Sequence, residues 1–311
     1  MHIAQIGTGR VGRPTAYAIM NMGLADTLTV CDTKLGLAAA FAEELKHVTA
    51  STGLTVEINS CDKDEQVAGA DIILISAGEA RAPGVRMTRR DLAIQNARIV
   101  KTVSEATASR NQGAKYIVIS NPVDAMGMVC KKYTKADFVI STGTNLESLR
   151  FRSKIAQTLG VPVSQVRGWV GGEHGDAAIP LWSTTKIGAR QIDEYAASRG
   201  MVLPKNEIEA YVKSVSKHIV DNIGATEFGP AASFRDITRA IVQNTNEVLP
   251  IAAPVVFEGF PEATCVSVPR PLGNAIGASI YDNLSEEEQG GIRESAKAIY
   301  QTYQLAIENI E

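Results

Sequence analysis

The sequence has little that would fix it by covalent or metal chemistry. Its four cysteines, Cys31, Cys61, Cys130 and Cys265, are scattered through 311 residues. No pair forms a CxxC and no metal-ligand spacing appears. The expectation is therefore free, mostly buried thiols in a reducing cytoplasm, without a metal site or a disulfide framework. Long apolar runs are also missing, since none approaches the ~20 residues of a membrane helix. Met1-His2-Ile3-Ala4-Gln5-Ile6 lacks the basic stretch and long apolar core of a secretory signal and reads as a core strand. Charge of one sign is scarce. A net charge of −3 points to neither nucleic acid nor a membrane surface as partner, so any positive charge that matters is local. There is no internal repeat and no low-complexity linker.

What remains is ordinary globular material, 45% apolar and 21% charged. The length allows two domains, or one large domain with an appended lobe. In the first half, short runs rich in Ile and Val alternate with helical patterns. The strand candidates are His2–Ile6, Leu28–Cys31, Asp71–Ser76, Lys115–Ser120 and Phe138–Ser141. Between them lie the helical stretches Pro14–Met22, Ala38–Val48 and Asp91–Ser109. Continuous apolar strands alternating with helices predict an α/β fold with a doubly wound parallel sheet. The pattern changes near residue 142, which predicts domains at 1–142 and 143–311 with a cleft between them. The second half offers helices at Leu146–Thr158, Lys205–Ile223 and Ala231–Gln243 and short strands at Val255–Glu258 and Thr264–Val268. A last helix is N-capped by Ser285, with Glu286, Glu287 and Glu288 in its first turn. Gly290 and Gly291 interrupt its pattern.

Gly7-Thr8-Gly9-Arg10-Val11-Gly12 fits G-x-G-x-x-G, follows the first strand and opens a helix. Asp32 ends the second strand 20 residues after Gly12. In this context Gly7 permits the tight turn, Gly9 lets backbone approach a pyrophosphate, and Gly12 lets helix and strand pack closely. Arg10 and Val11 fill the motif and carry the helix N-terminus, whose partial positive charge favours phosphate. Asp32 would accept hydrogen bonds from both ribose hydroxyls of NAD and repel a 2′-phosphate. Thr33 and Lys34 leave some use of NADP open. Out of context, the same residues would be a plain turn and a surface acid.

Three further segments carry chemistry. The stretch 81–91 holds Arg81, Arg86, Arg89 and Arg90 with Pro83 and Gly84, after a sheet strand. Guanidinium pairs with carboxylate, and an irregular loop there could close over a dianion. A solvated basic loop paired with Glu79 and Asp91 is the alternative. His174 lies in Gly171-Gly172-Glu173-His174-Gly175-Asp176, where a proton donor and a structural histidine are both consistent. In Asn145-Leu146-Glu147-Ser148-Leu149-Arg150 a carboxylate and a guanidinium sit three apart on one helix face. An internal helix ion pair satisfies that spacing too.

Together these stretches resemble the lactate/malate dehydrogenase family, especially lactate-dehydrogenase-like malate dehydrogenases of archaeal type. The match includes Gly7–Gly12, Asp32, Ser76-Ala77-Gly78, the arginine loop, Ser120-Asn121-Pro122-Val123-Asp124, Asn145–Arg150, Gly172–Asp176 and Gly224-Ala225-Thr226, in family order. The resemblance implies an N-terminal Rossmann sheet with a C-terminal α+β substrate domain. It also implies NAD as cofactor, malate and oxaloacetate as substrates, and a homodimer or homotetramer. By the same resemblance His174 is the general acid/base and Glu147 orients it. Arg150 grips the substrate C1 carboxylate, and Arg89 polarises the reacting carbonyl. Arg81 meets a second carboxylate, Asn121 contacts nicotinamide and substrate, and Thr226 lines the pocket. The family usually has aspartate where this chain has Glu147. The loop is two residues longer, with Val85 and Arg86, which makes Arg86 a rival to Arg81. A lactate dehydrogenase of the same fold, and a non-catalytic NAD-binding assembly protein, are the competing expectations.

Overall fold

The computed structural model describes residues 1–79 and 88–311, with Arg89 described by its backbone alone. Six parallel strands, β1 (His2–Ile6), β2 (Thr27–Cys31), β3 (Glu57–Cys61), β4 (Ile72–Ile75), β5 (Lys115–Val118) and β6 (Val139–Ser141), lie in the order β3-β2-β1-β4-β5-β6. Their crossovers carry α1 (Gly12–Asn21), α2 (Leu37–Thr52), α3 (Arg89–Ala108) and α4 (Val123–Thr134). This is the doubly wound order that turns back on itself between β1 and β4, leaving a crevice at the strands' carboxyl ends. Alternate strand residues feed opposite cores. Ile73 and Ile75 of β4 face one hydrophobic cluster, while Ile72 and Leu74 face the other. Burial on both faces is why these strands read as unbroken apolar runs.

The second half comprises α5 (Asn145–Leu159), β7 (Val166–Arg167), β8 (Val170–Gly172), β9 (Ala178–Pro180), β10 (Lys186–Ile187), β11 (Arg190–Gln191), α6 (Ile192–Ser198), α7 (Lys205–Ile223), α8 (Phe228–Val242), β12 (Glu247–Leu249), β13 (Ala252–Val255), β14 (Thr264–Ser267), β15 (Arg270–Leu272) and α9 (Glu286–Glu308). The large sheet does not stop at β6. It continues antiparallel through β13, β14, β8 and β9. The join is one register pair, Ser141 with Ala252. Helix α8 packs on α1, and α9 packs on α3 and α4. Among the described residues no helix is long and apolar enough to cross a membrane.

The structure departs from the sequence expectations in places. The strand expected at 255–258 is β13, three residues earlier. Small Ala252 and Ala253 fit the buried slot between β6 and β14, whereas Val256 is 81% exposed. Strand β3 and helix α4 are passed over by the sequence pattern. Strand β3 is a polar edge strand, and α4 is buried from Val123 to Cys130, so it shows no helical stripe. Helix α9 runs through its two glycines. A Cβ on Gly291 would lie 2.7 Å from Ile179 Cδ1, so the glycine lets the helix approach β9. All four cysteines are free, with Cys61 half-buried and the other three buried.

Candidate active site

The glycine turn is built as its motif requires. Gly7 has φ +89°, and its N–H donates to Cys31 O at 2.8 Å. A Cβ on Gly12 would lie 2.0 Å from Gly7 O, which only glycine avoids. A Cβ on Gly9 would meet nothing within 4 Å, so the space above it is open. Helix α1 begins after Val11 without a side-chain cap. Bare N–H groups beside an open glycine form a cradle that fits a pyrophosphate. Asp32 Oδ2 accepts from Thr8 N at 2.8 Å and Thr8 Oγ1 at 3.0 Å, and its Oδ1 accepts from Lys34 N at 2.9 Å. Asp32 thus braces the turn, a task the sequence did not reveal. Arg10 is exposed, and a Cβ on Gly224 would lie 3.0 Å from its Nη1.

His174 sits in the loop between β8 and β9. Asp124, at the start of α4, ties this loop down. Its Oδ2 accepts the His174 backbone N–H at 2.7 Å, and its Oδ1 accepts from Ser141 Oγ at 3.0 Å. Burial pushes the Asp124 carboxyl up to about 6, against the opposing pull of the His174 N–H, the imidazole and Ser141. Glu147, in the first turn of α5, is 4% exposed. Its Oε2 meets His174 Nδ1 at 3.1 Å, and its Oε1 accepts from Arg150 Nη1 at 3.3 Å. Burial opposes charge on His174. The Glu147 carboxylate, its hydrogen bond and Asp124 outweigh burial and hold the imidazolium up to about 9. Burial likewise raises the Glu147 carboxyl, but the imidazolium and Arg150 bring it below the ordinary value. Burial lowers Arg150, and Glu147 counters it.

The first turn of α5 is pinned to β8 and α8. Thr144 Oγ1 donates to Val170 O at 2.5 Å, Ser148 Oγ accepts from Val170 N at 2.8 Å, and Asn145 Nδ2 donates to Ser233 Oγ at 2.9 Å. These bonds hold Glu147 in register with His174. Another brace lies on the other side. Asn96 Nδ2 donates to Asn121 O at 2.6 Å while Asn96 Oδ1 accepts from Glu79 N at 2.7 Å, joining two strand-end loops. Asp124, Asn96, Thr144 and Ser148 were not singled out in the sequence. Asp124 and Ser148 stood inside quoted motifs, which was the available signal.

A cavity of about 190 Å³ brings Val11, Asn121, Glu147, Arg150, His174 and Thr226 together. Gly7, Gly9, Arg10, Gly12 and Asp32 are not in its wall, so the nucleotide turn adjoins this cavity through Val11. Asp176, Lys213, Ser216 and Ser233 also line it. Arg81 and Arg86 lie outside the described residues. Arg89 is the first residue of α3, after the Thr88 N-cap, whose Oγ1 accepts from Asp91 N at 3.0 Å.

Residues 1–138 match the lactate/malate dehydrogenase NAD binding domain, and residues 144–309 match that family's alpha/beta C-terminal domain. The chain belongs to the lactate/malate dehydrogenase family. A malate dehydrogenase of Sulfurisphaera tokodaii is 39% identical, over 99% of this chain and 97% of that protein. An L-lactate dehydrogenase of Thermus aquaticus is 32% identical, over 96% and 97%. Among solved structures, malate dehydrogenase from Plasmodium falciparum superposes with a TM-score of 0.92 at 27% identity, covering 100% of both chains.

Proposed function

We propose that this chain is an NAD-dependent malate dehydrogenase, reversibly reducing oxaloacetate to (S)-malate. One observation carries the reading: the carboxylate, imidazole and guanidinium of Glu147, His174 and Arg150 share a cavity with Val11 of the nucleotide turn. The 39% identical malate dehydrogenase supports malate over lactate. So does the motif position of Arg81, where a guanidinium would meet a second carboxylate.

Gly7, Gly9, Arg10, Val11 and Gly12 would hold the cofactor pyrophosphate, Asp32 its adenosine ribose, and Asn121 its nicotinamide end. When bound, NAD(H) supplies or receives the hydride at substrate C2. His174 Nε2 gives its proton to the carbonyl oxygen in reduction and recovers it from the hydroxyl in oxidation. Glu147 keeps the second ring proton on Nδ1, so Nε2 is the nitrogen that exchanges with substrate. Arg150 uses one N–H on Glu147, leaving donors for the C1 carboxylate. Arg89 stabilises charge developing on the reacting oxygen. Arg81 takes the distal carboxylate, with Arg86 as its rival, and Thr226 closes the pocket wall. Residues 1–142 act as the nucleotide domain and 143–311 as the catalytic domain, in a cytoplasmic homodimer or homotetramer. Sedimentation decides the assembly, and a monomer at working concentration would overturn that part.

The test is NADH consumption with oxaloacetate and, separately, pyruvate. Faster turnover of oxaloacetate is expected. Preference for pyruvate would make the chain an L-lactate dehydrogenase, as its Thermus aquaticus relative is named. No turnover of either would leave a non-catalytic binding protein. His174→Asn is expected to abolish turnover while NADH still binds, and near-normal turnover would end the role given to His174.

A further inference from the structure

One wall of the cavity is helix α7. Val212 is 2% exposed and packs in the C-terminal core against α5 residues, which fixes how this stretch of α7 faces the site. Lys213 follows it, and Ser216 lies three residues on, so the two are neighbours on the helix surface. Both line the cavity that holds His174 and Arg150.

The charges on that wall are unevenly committed. Glu147 already serves two cations, Arg150 at 3.3 Å and His174 at 3.1 Å. Lys217, the next lysine on α7, is engaged by Asp221 at 2.5 Å. Lys213 forms no hydrogen bond or ion pair among the described residues. Asp176, which also lines the cavity, has a partner of its own. Lys213 is thus a cation on the wall that no described residue engages. A monoanionic keto acid needs one cation, and Arg150 supplies it. A dianion brings a second charge, for which Lys213 is available on the same wall. An ammonium on a flexible four-carbon stem can follow a carboxylate at the cavity edge without a fixed fork geometry.

We propose that Lys213 is a specificity-determining residue that binds the substrate carboxylate farther from the reacting carbonyl, in addition to the loop arginines. This rests on the dicarboxylate reading above. The experiment compares wild type, Lys213→Gln and Lys213→Arg, measuring kcat and KM for oxaloacetate and pyruvate at saturating NADH and several salt concentrations. NADH affinity is followed by fluorescence. Lys213→Gln is expected to raise KM for oxaloacetate about fivefold, the scale of an exposed ion pair. Its kcat, its KM for pyruvate and its NADH affinity stay within about twofold by the same scale. The salt dependence of kcat/KM for oxaloacetate becomes shallower, and Lys213→Arg restores most of the loss. An unchanged KM for oxaloacetate, an equal rise for both substrates, or weakened NADH binding in its place would overturn the proposal. Wild type that prefers pyruvate overturns the dicarboxylate reading and this proposal together. Wild type that prefers oxaloacetate, with Lys213→Gln altering KM for both substrates alike or for neither, overturns this proposal alone.

Discussion

At the scale of single residues, the site turns on one buried carboxylate held by two cations. The spacing of Glu147 and Arg150 fitted both a helix ion pair and a site. In the structure the ion pair is there and a second contact beside it, because the two oxygens of Glu147 point to different partners. Glu147→Asp, the residue usual in the family, is predicted to keep turnover. Glu147→Gln is predicted to lose about a hundredfold or more in kcat/KM, since the imidazolium loses its counter-charge. Equal rates in the two variants would show that the charge does no work. The pH dependence follows from the same contact. With His174 held up to about 9, kcat/KM for oxaloacetate reduction is predicted to be flat below that pH and to fall above it. Malate oxidation, which needs neutral imidazole, gains over the same range. In Glu147→Gln the break moves down toward the ordinary 6.5, and a break that does not move would separate the profile from His174. The stability linkage has the same sign. The folded value is raised, so the contribution of His174 is complete below about 6.5 and lost as pH rises through about 9.

At the scale of elements, the nucleotide turn was legible because its demands are local: a strand, three glycines and a helix start. Gly12→Ala would drive a Cβ to 2.0 Å from Gly7 O. It is predicted to abolish NADH binding in a fluorescence titration, and unchanged affinity would mean that the turn does not hold the cofactor. The braces were not legible, because they join distant segments. Asp124 reaches a backbone N–H 50 residues away, and nothing in the stretch 120–124 announces that partner. Asp124→Ala leaves that part-buried N–H unpaired, a loss of about 1 kcal/mol. The predicted outcome is a lower melting temperature and at least tenfold lower kcat with NADH affinity kept. Unaltered kcat would show that the histidine loop holds its place unaided. Helix α4 and strand β3 escaped the periodicity for opposite reasons, one buried nearly all round and the other polar at the sheet edge.

At the scale of the whole molecule, the sheet turns from parallel to antiparallel after β6, and nothing in the local pattern signals that one sheet runs on through both halves. Local alternation shows which residues are strands and not which strands meet. The continuous sheet, with α8 on α1 and α9 on α3 and α4, predicts a single cooperative calorimetric transition whose midpoint rises with added NADH. Two resolved transitions would show that the halves unfold separately. The same joint governs how the polypeptide is made. A ribosome releases residues 1–141 long before 252–255 and 286–308 exist, so the nascent sheet waits with its β6 flank unpaired and two helix backs uncovered. Stalled chains ending before residue 252 should therefore depend on holding chaperones, and that dependence should lapse once the final helix has cleared the exit tunnel.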